Sequence, residues 1–135
     1  MELGRALDIS AAGMAAQTTR LRVIAENLAN ADSTATGPGG EPYRRKTVSF
    51  ANRMDRALGV ETVRVASVGR DQAAFPQRFD PGNPAADARG YVQTPNVNSF
   101  VEVMDMREAE RSYQANLAVM QSTRGMLQRT IDFLK

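Results

Sequence analysis

A mainly α-helical fold with a small β-containing middle is predicted by three features of this sequence. Apolar residues recur every seventh position near both ends. All six prolines lie in the central part of the 135 residues. Short stretches of that centre alternate apolar and polar residues. A seven-residue apolar repeat keeps one stripe against a neighbouring helix as the pair supercoils. Long N- and C-terminal helices, residues 1–32 and 97–135, are therefore expected to pair as an antiparallel, coiled-coil-like hairpin. Residues 33–96 form short strands and loops between them.

The first helix is expected from about Gly4 to Asn30, where alanine is abundant and the helical period holds. Its large column is Leu7, Met14, Leu21 and Leu28, and its small column is Gly4, Ala11, Thr18 and Ala25. Small residues let a partner helix come near and large ones fill the remaining gap. Asp8 and Ser10 are candidate N-caps for part of it. Gly13 costs about 1 kcal/mol relative to alanine inside a helix, so it marks either a tolerated glycine or a close approach by another backbone. Asn27 and Asn30 suit a helix stop. Turn chemistry follows at Asp32–Thr34 and Gly37–Gly40.

In the centre, Lys46–Phe50 and Val60–Val68 alternate and read as half-buried strands, and Tyr91 with Val92 suggests a third. The proline-rich stretch from Phe75 to Pro84 is expected to carry no regular structure. So few short strands give a thin core. Arg44, Arg45 and Lys46 form the one basic run, read as a solvated turn or strand edge.

The last helix is expected from Ser99 to Leu134, with Ser99 and Glu102 as a capping box. At 1.5 Å per residue it is about 54 Å long. Met106, Tyr113, Met120, Leu127 and Leu134 form its large column, broadened by Val103, Leu117 and Ile131; Asn116 lies on a neighbouring small or polar column with Ala109. A helix this long overruns a single 135-residue domain, so part of its seam is expected to meet other subunits.

The composition narrows the chemistry. There is no cysteine and no histidine. That removes disulfides, thiolates, the commonest metal ligand and the commonest general base. A net charge of +2 is too small to argue for nucleic acid or a membrane surface. No stretch approaches the roughly 18 apolar residues of a membrane span, and no cleavable secretion signal is visible. No catalytic, cofactor or metal site is expected. Asp80 and Asp87 could serve a glycoside hydrolase as paired carboxylates, but no spacing singles out such a pair.

Several strings go further. Gly13–Gln17, Arg20–Leu21 and Ile24–Ser33 (IAENLANADS) resemble the signature of the bacterial flagellar rod and hook proteins, the axial family. Pro42–Lys46 (PYRRK), Asp80–Pro81, Asn83–Asp87, Gly90–Val92, Pro95–Asn98 (PNVN) and Arg111–Asn116 (RSYQAN) narrow the resemblance to its proximal-rod subunits. Asn83 stands where the family often has histidine. The resemblance implies a non-enzymatic structural subunit of the periplasmic rod, exported without a cleaved signal through the flagellar type III apparatus. Its implied partners are copies of itself, other rod subunits and the membrane-ring base, with no nucleic acid and no membrane insertion. Another axial protein, a partner proximal-rod or a distal-rod subunit, is the alternative.

Overall fold

In the computed structural model, which describes residues 2–135, the chain opens on helix α1 (Glu2–Ala29) and closes on helix α2 (Ser99–Phe133). Between them lie strands β1 (Lys46–Asp55), β2 (Val60–Arg70), β3 (Gln77–Phe79) and β4 (Tyr91–Gln93). The mainly α reading with a central β region holds at this level. Asp8 and Ser10 lie inside α1 rather than capping it.

Helix ends follow local chemistry. The Asn30 side chain donates back to the Glu26 carbonyl at 2.8 Å, and the Ser33 hydroxyl donates to the Asn30 carbonyl at 2.9 Å. They add to the Asn30 and Ser33 amide bonds to the same two carbonyls as the helix ends. At the start of α2 the capping box does not form. Asn98 caps instead, its Oδ1 accepting from the Phe100 and Val101 amides at 3.1 and 3.4 Å. Glu102 is thereby free to reach away from its own helix.

The two strand pairs are separate sheets, β1 with β2 and β3 with β4. A four-residue link allows β1 and β2 only an antiparallel pairing. Asp55 shapes that link, its Oδ1 accepting from the Ala57 and Leu58 amides, and Gly59 takes the left-handed conformation at φ 65°. Both strands run beyond their alternating cores, because ladder bonds use backbone and tolerate Asn52 and Arg53.

Strand β3 corrects the expectation of no regular structure from Phe75 to Pro84. Three residues between Pro76 and Pro81 suffice to pair Gln77 with Gln93, Arg78 with Val92 and Phe79 with Tyr91. Phe79 and Tyr91 meet edge to face, centroids 5.4 Å apart. Gly90, at φ 83°, lies under Phe79 and Pro81, where a Cβ would come within 3.0 Å of both.

By internal contacts the chain divides into two compact units. One comprises Met1–Leu21, Val48–Ser67 and Met106–Lys135; the other comprises Arg22–Thr47 and Val68–Asp105. In the first, the buried residues are small: Ser10, Gly13, Ala16, Ala109 and Thr123. In the second they include Val23, Ile24, Asn27, Val92, Pro95 and Glu102.

Candidate assembly interface

The second unit is organised around a buried polar clasp. The Glu102 side chain is 0% exposed. A carboxylate this deep is stable only when paired and hydrogen-bonded. Arg45 Nε donates to its Oε1, and Asn27 Nδ2 donates to its Oε2 at 3.3 Å. Asn27 uses its whole amide. Nδ2 also donates to the Lys46 carbonyl at 2.9 Å, while Oδ1 accepts from the Tyr43 hydroxyl at 2.8 Å and the Lys46 amide at 2.9 Å. Four bonds are all that an asparagine side chain can make.

Charge closes around Arg45. Its guanidinium also lies 3.6 Å from Asp71 and 3.6 Å from Asp105. Burial works against that positive charge, but the Glu102 hydrogen bond and the charges of Glu102, Asp71 and Asp105 prevail and hold its pKa above the usual arginine value. Burial pushes the Tyr43 hydroxyl up, with Lys46 opposing. On the rim, the hydrogen bond and charge of Lys46, 2.7 Å away, hold Glu26 below the usual carboxylate range. Asn96 ties the segment after β2 to this centre. Its Oδ1 accepts from the Arg45 amide and its Nδ2 donates to the Asp71 and Ala73 carbonyls. Arg44 donates to the same two carbonyls and lies 4.3 Å above the Phe75 ring.

The basic run is therefore not a solvated edge. All three of its side chains are spent on internal partners, which leaves no ready phosphate site. Asp80 and Asp87 are likewise engaged. Asp87 Oδ1 accepts from the Arg89 and Tyr91 amides, and Asp80 Oδ2 accepts from Asn83 Nδ2. Among the described residues no cluster of acidic, histidine or cysteine side chains could hold a metal ion. Among the described residues, no helix is long and apolar enough to cross a membrane.

The first unit is held differently. A Cβ built on Gly13 would lie 2.9 Å from Asn116 Nδ2 and 3.1 Å from Cγ and Oδ1, so glycine leaves room for that amide. The close approach suspected at Gly13 comes from a side chain, not a backbone. Arg20 meets Glu108 at 3.4 Å. Most other side-chain bonds here return to their own helix, such as Thr18 to the Met14 carbonyl and Thr123 to the Val119 carbonyl.

The columns read as seams fall on several faces. Leu7, Met14, Leu21 and Leu28 are half-buried, as are Met106, Tyr113, Asn116, Leu117, Met120 and Leu127. Asn27 is buried and Asn30 half-buried; Ala11, Thr18, Ala25, Ile131 and Leu134 are exposed. The tightest approach uses Gly13 instead of the small column at Ala11 and Thr18. Residues at seven-residue intervals form buried to half-buried stripes: Gly13, Arg20 and Asn27 in α1, and Glu102, Ala109, Asn116 and Thr123 in α2, with Arg20 and Asn116 half-buried. Reading by apolarity passes over such columns, because their residues are small or polar.

Large apolar side chains are left outside. On α2, Val119, Met126 and Phe133, again every seventh residue, are 50%, 51% and 94% exposed. At its start Phe100, Val101, Val103 and Met104 are all exposed while Glu102 between them is buried. That arrangement inverts the usual amphipathic helix.

Comparison with known proteins gives this arrangement a context. Residues 7–36 match the family model described as flagella basal body rod protein, and residues 88–133 match that of the flagellar basal body rod FlgEFG protein C-terminal. A protein from Agrobacterium fabrum named flagellar basal-body rod protein FlgC is 52% identical over 98% of this chain and 96% of its own length. The chain belongs to the FlgC family of flagellar basal-body rod proteins. The FlgC proteins of Salmonella typhimurium and Bacillus subtilis are 47% and 36% identical, covering 97% and 96% of this chain and the same shares of their own. A FlgC-family chain is a structural rod subunit of the flagellar basal body, and no catalytic family is among these matches. The strings that carried the resemblance build the clasp: Asn27 from NLANADS, Tyr43 to Lys46 from PYRRK, and Asn96 from PNVN, whose Asn98 caps α2. RSYQAN supplies Asn116 opposite Gly13.

Proposed function

We propose that the chain polymerises through its terminal helices, with copies of itself and other rod subunits, into the proximal part of the torque-transmitting shaft. In this reading α1 and α2 pair antiparallel. Gly13 with Asn116, Arg20 with Glu108 and Asn27 with Glu102 support that pairing, since positions rising along α1 meet positions falling along α2. Residues 1–32 and 97–135 then form the axial core, and 33–96 the part carried on it. The half-buried columns at Leu7, Met14, Leu21 and Leu28, and at Met106, Tyr113, Met120 and Leu127, complete their burial against neighbours.

The observation that carries the reading is the apolar surface left on α2. The chain exposes 9131 Å² at 14.7 kDa, where a folded monomer of that mass exposes roughly 6,900 Å². Burying one Leu or Met is worth about 1.5–3 kcal/mol, and head-to-tail contacts that do not close into a ring build a filament. A periplasmic site, export by the flagellar type III apparatus without a cleaved signal, and contact with the membrane-ring base belong to the same proposal.

The test is deletion followed by complementation. Deletion should leave basal bodies with rings and no rod, seen by electron microscopy. Wild-type chain should restore swimming, while Leu21→Asp and Met120→Asp should not, despite normal expression. Intact rods in the deletion strain would refute the role; normal swimming of both variants would refute the seam.

A further inference from the structure

We infer that three unlike contacts, Gly13 with Asn116, Arg20 with Glu108 and the buried Asn27 with Glu102, are a key that fixes the register and direction in which α1 and α2 pair; this rests on the antiparallel pairing proposed above. The large apolar columns cannot do so. Leu7, Met14, Leu21 and Leu28 present nearly the same side chain every seven residues, and so do Met106, Tyr113, Met120 and Leu127. A slip of one heptad sets large apolar side chains against each other again, at little cost.

The polar positions do not repeat. Along α1 they read Gly13, Arg20 and Asn27; along α2 they read Glu102, Ala109 and Asn116. In the native register the gap at Gly13 receives the Asn116 amide. Arg20 is level with fully buried Ala109 and reaches its neighbour Glu108. Asn27 meets Glu102. A slip one way would put Asn27 opposite Ala109, its amide buried without the carboxylate, and Arg20 opposite Asn116, with no glycine to make room. A slip the other way would put Gly13 opposite Ala109, leaving a void, bring Arg20 instead of Asn27 to Glu102, and carry Asn27 past the start of α2. A parallel pairing could not bring Gly13 to Asn116 and Asn27 to Glu102 together. Each alternative parts Asn27 from Glu102 or Gly13 from Asn116, and a buried amide left without its partners costs far more than an exposed one.

A single buried polar residue is known to fix register in coiled coils. Here three levels share the task, and Arg45 and Tyr43 reinforce the last by holding Glu102 and Asn27. These are positioning residues, and their role is separable from adhesion.

The chain has no cysteine, so nitroxide labels can be placed at Ala15→Cys and Gln114→Cys, both exposed positions, and their separation measured in the full-length chain. The otherwise native chain should give one narrow distance. Asn27→Leu/Arg45→Met/Glu102→Leu, which removes the polar centre without orphaning a charge, should keep its helix by circular dichroism. It should add a second, longer distance population, because a slip of seven residues at 1.5 Å each carries the initially level labels about 10 Å apart along the helix axes. A single native distance in that variant would overturn the key while leaving the pairing intact. No single distance in the otherwise native chain would overturn the pairing and the key with it. If the triple variant loses its helix, Gly13→Ala decides: it should broaden the native distance, and Gly13→Ala/Asn116→Ala should narrow it again. An unchanged distance and unchanged urea midpoint in Gly13→Ala would overturn the key.

Discussion

The two units of this molecule are held by different physics. The first buries small residues, keeps most of its side-chain hydrogen bonds within single helices, and leaves Val119, Met126 and Phe133 in solvent. The second buries a carboxylate, an asparagine amide and much of a guanidinium, with every one of them partnered. Hydrogen bonds and charges are directional and demand one geometry, whereas apolar burial is permissive. A subunit made for assembly gains from this division. The polar unit fixes its own geometry through directional bonds, and both units leave large apolar side chains exposed, Phe100 and Met104 in the second and Val119, Met126 and Phe133 in the first.

The comparison breaks most sharply at Glu102. Glu102→Ala would leave Arg45 and Asn27 without their buried partner, and we expect a loss of about 3 kcal/mol, the low end for a broken buried pair, because Arg45 is partly exposed. Urea unfolding of the purified chain measures it. An equal truncation in the first unit, Met126→Ala, should change stability by less than about 0.5 kcal/mol, as an exposed position does.

Gly13→Ala comes next. Overpacking costs about 1–3 kcal/mol and alanine returns about 1 kcal/mol of helix propensity, so a net loss of about 1 kcal/mol is expected. Adding Asn116→Ala should make the change favourable. Asn98→Ala should cost about 1 kcal/mol as a lost cap, and Ser99→Ala almost nothing, since Asn98 and not Ser99 caps α2. Both are read from urea midpoints.

The smallest effect is in acid. Lys46 holds Glu26 below its ordinary value near 4.5, so the folded pKa lies under the unfolded one. The pair's contribution is present above about pH 4.5 and is lost as pH falls through the lower folded value. The urea midpoint should decline slightly over that range, and Glu26→Gln should remove that part of the slope.

Periodicity made both helices legible, and alternation marked β1, β2 and β4. It missed β3, where two prolines outweighed three pairing residues. It also missed the clasp, for a physical reason. Asn27, Arg45 and Glu102 are 16 to 75 residues from their partners. Read locally, each has a plain role as a helix stop, a solvated cation or a capping-box acid. Their convergence is a property of the folded chain. The only sequence signal was indirect, in that the strings resembling axial proteins were the ones containing these residues. The small and polar column of Ala109 and Asn116 on α2 was legible, but its counterpart on α1 was not, because Gly13, Arg20 and Asn27 share neither size nor polarity.

On the proposed function, apolar surface left free on α2, Met126 among it, is the adhesive of the rod. A single cysteine at Met126→Cys, in a chain that otherwise has none, tests it through maleimide labelling of the purified subunit and of isolated basal bodies. The account predicts rapid labelling of the subunit and strong protection in the basal body. Equal labelling in both would contradict it.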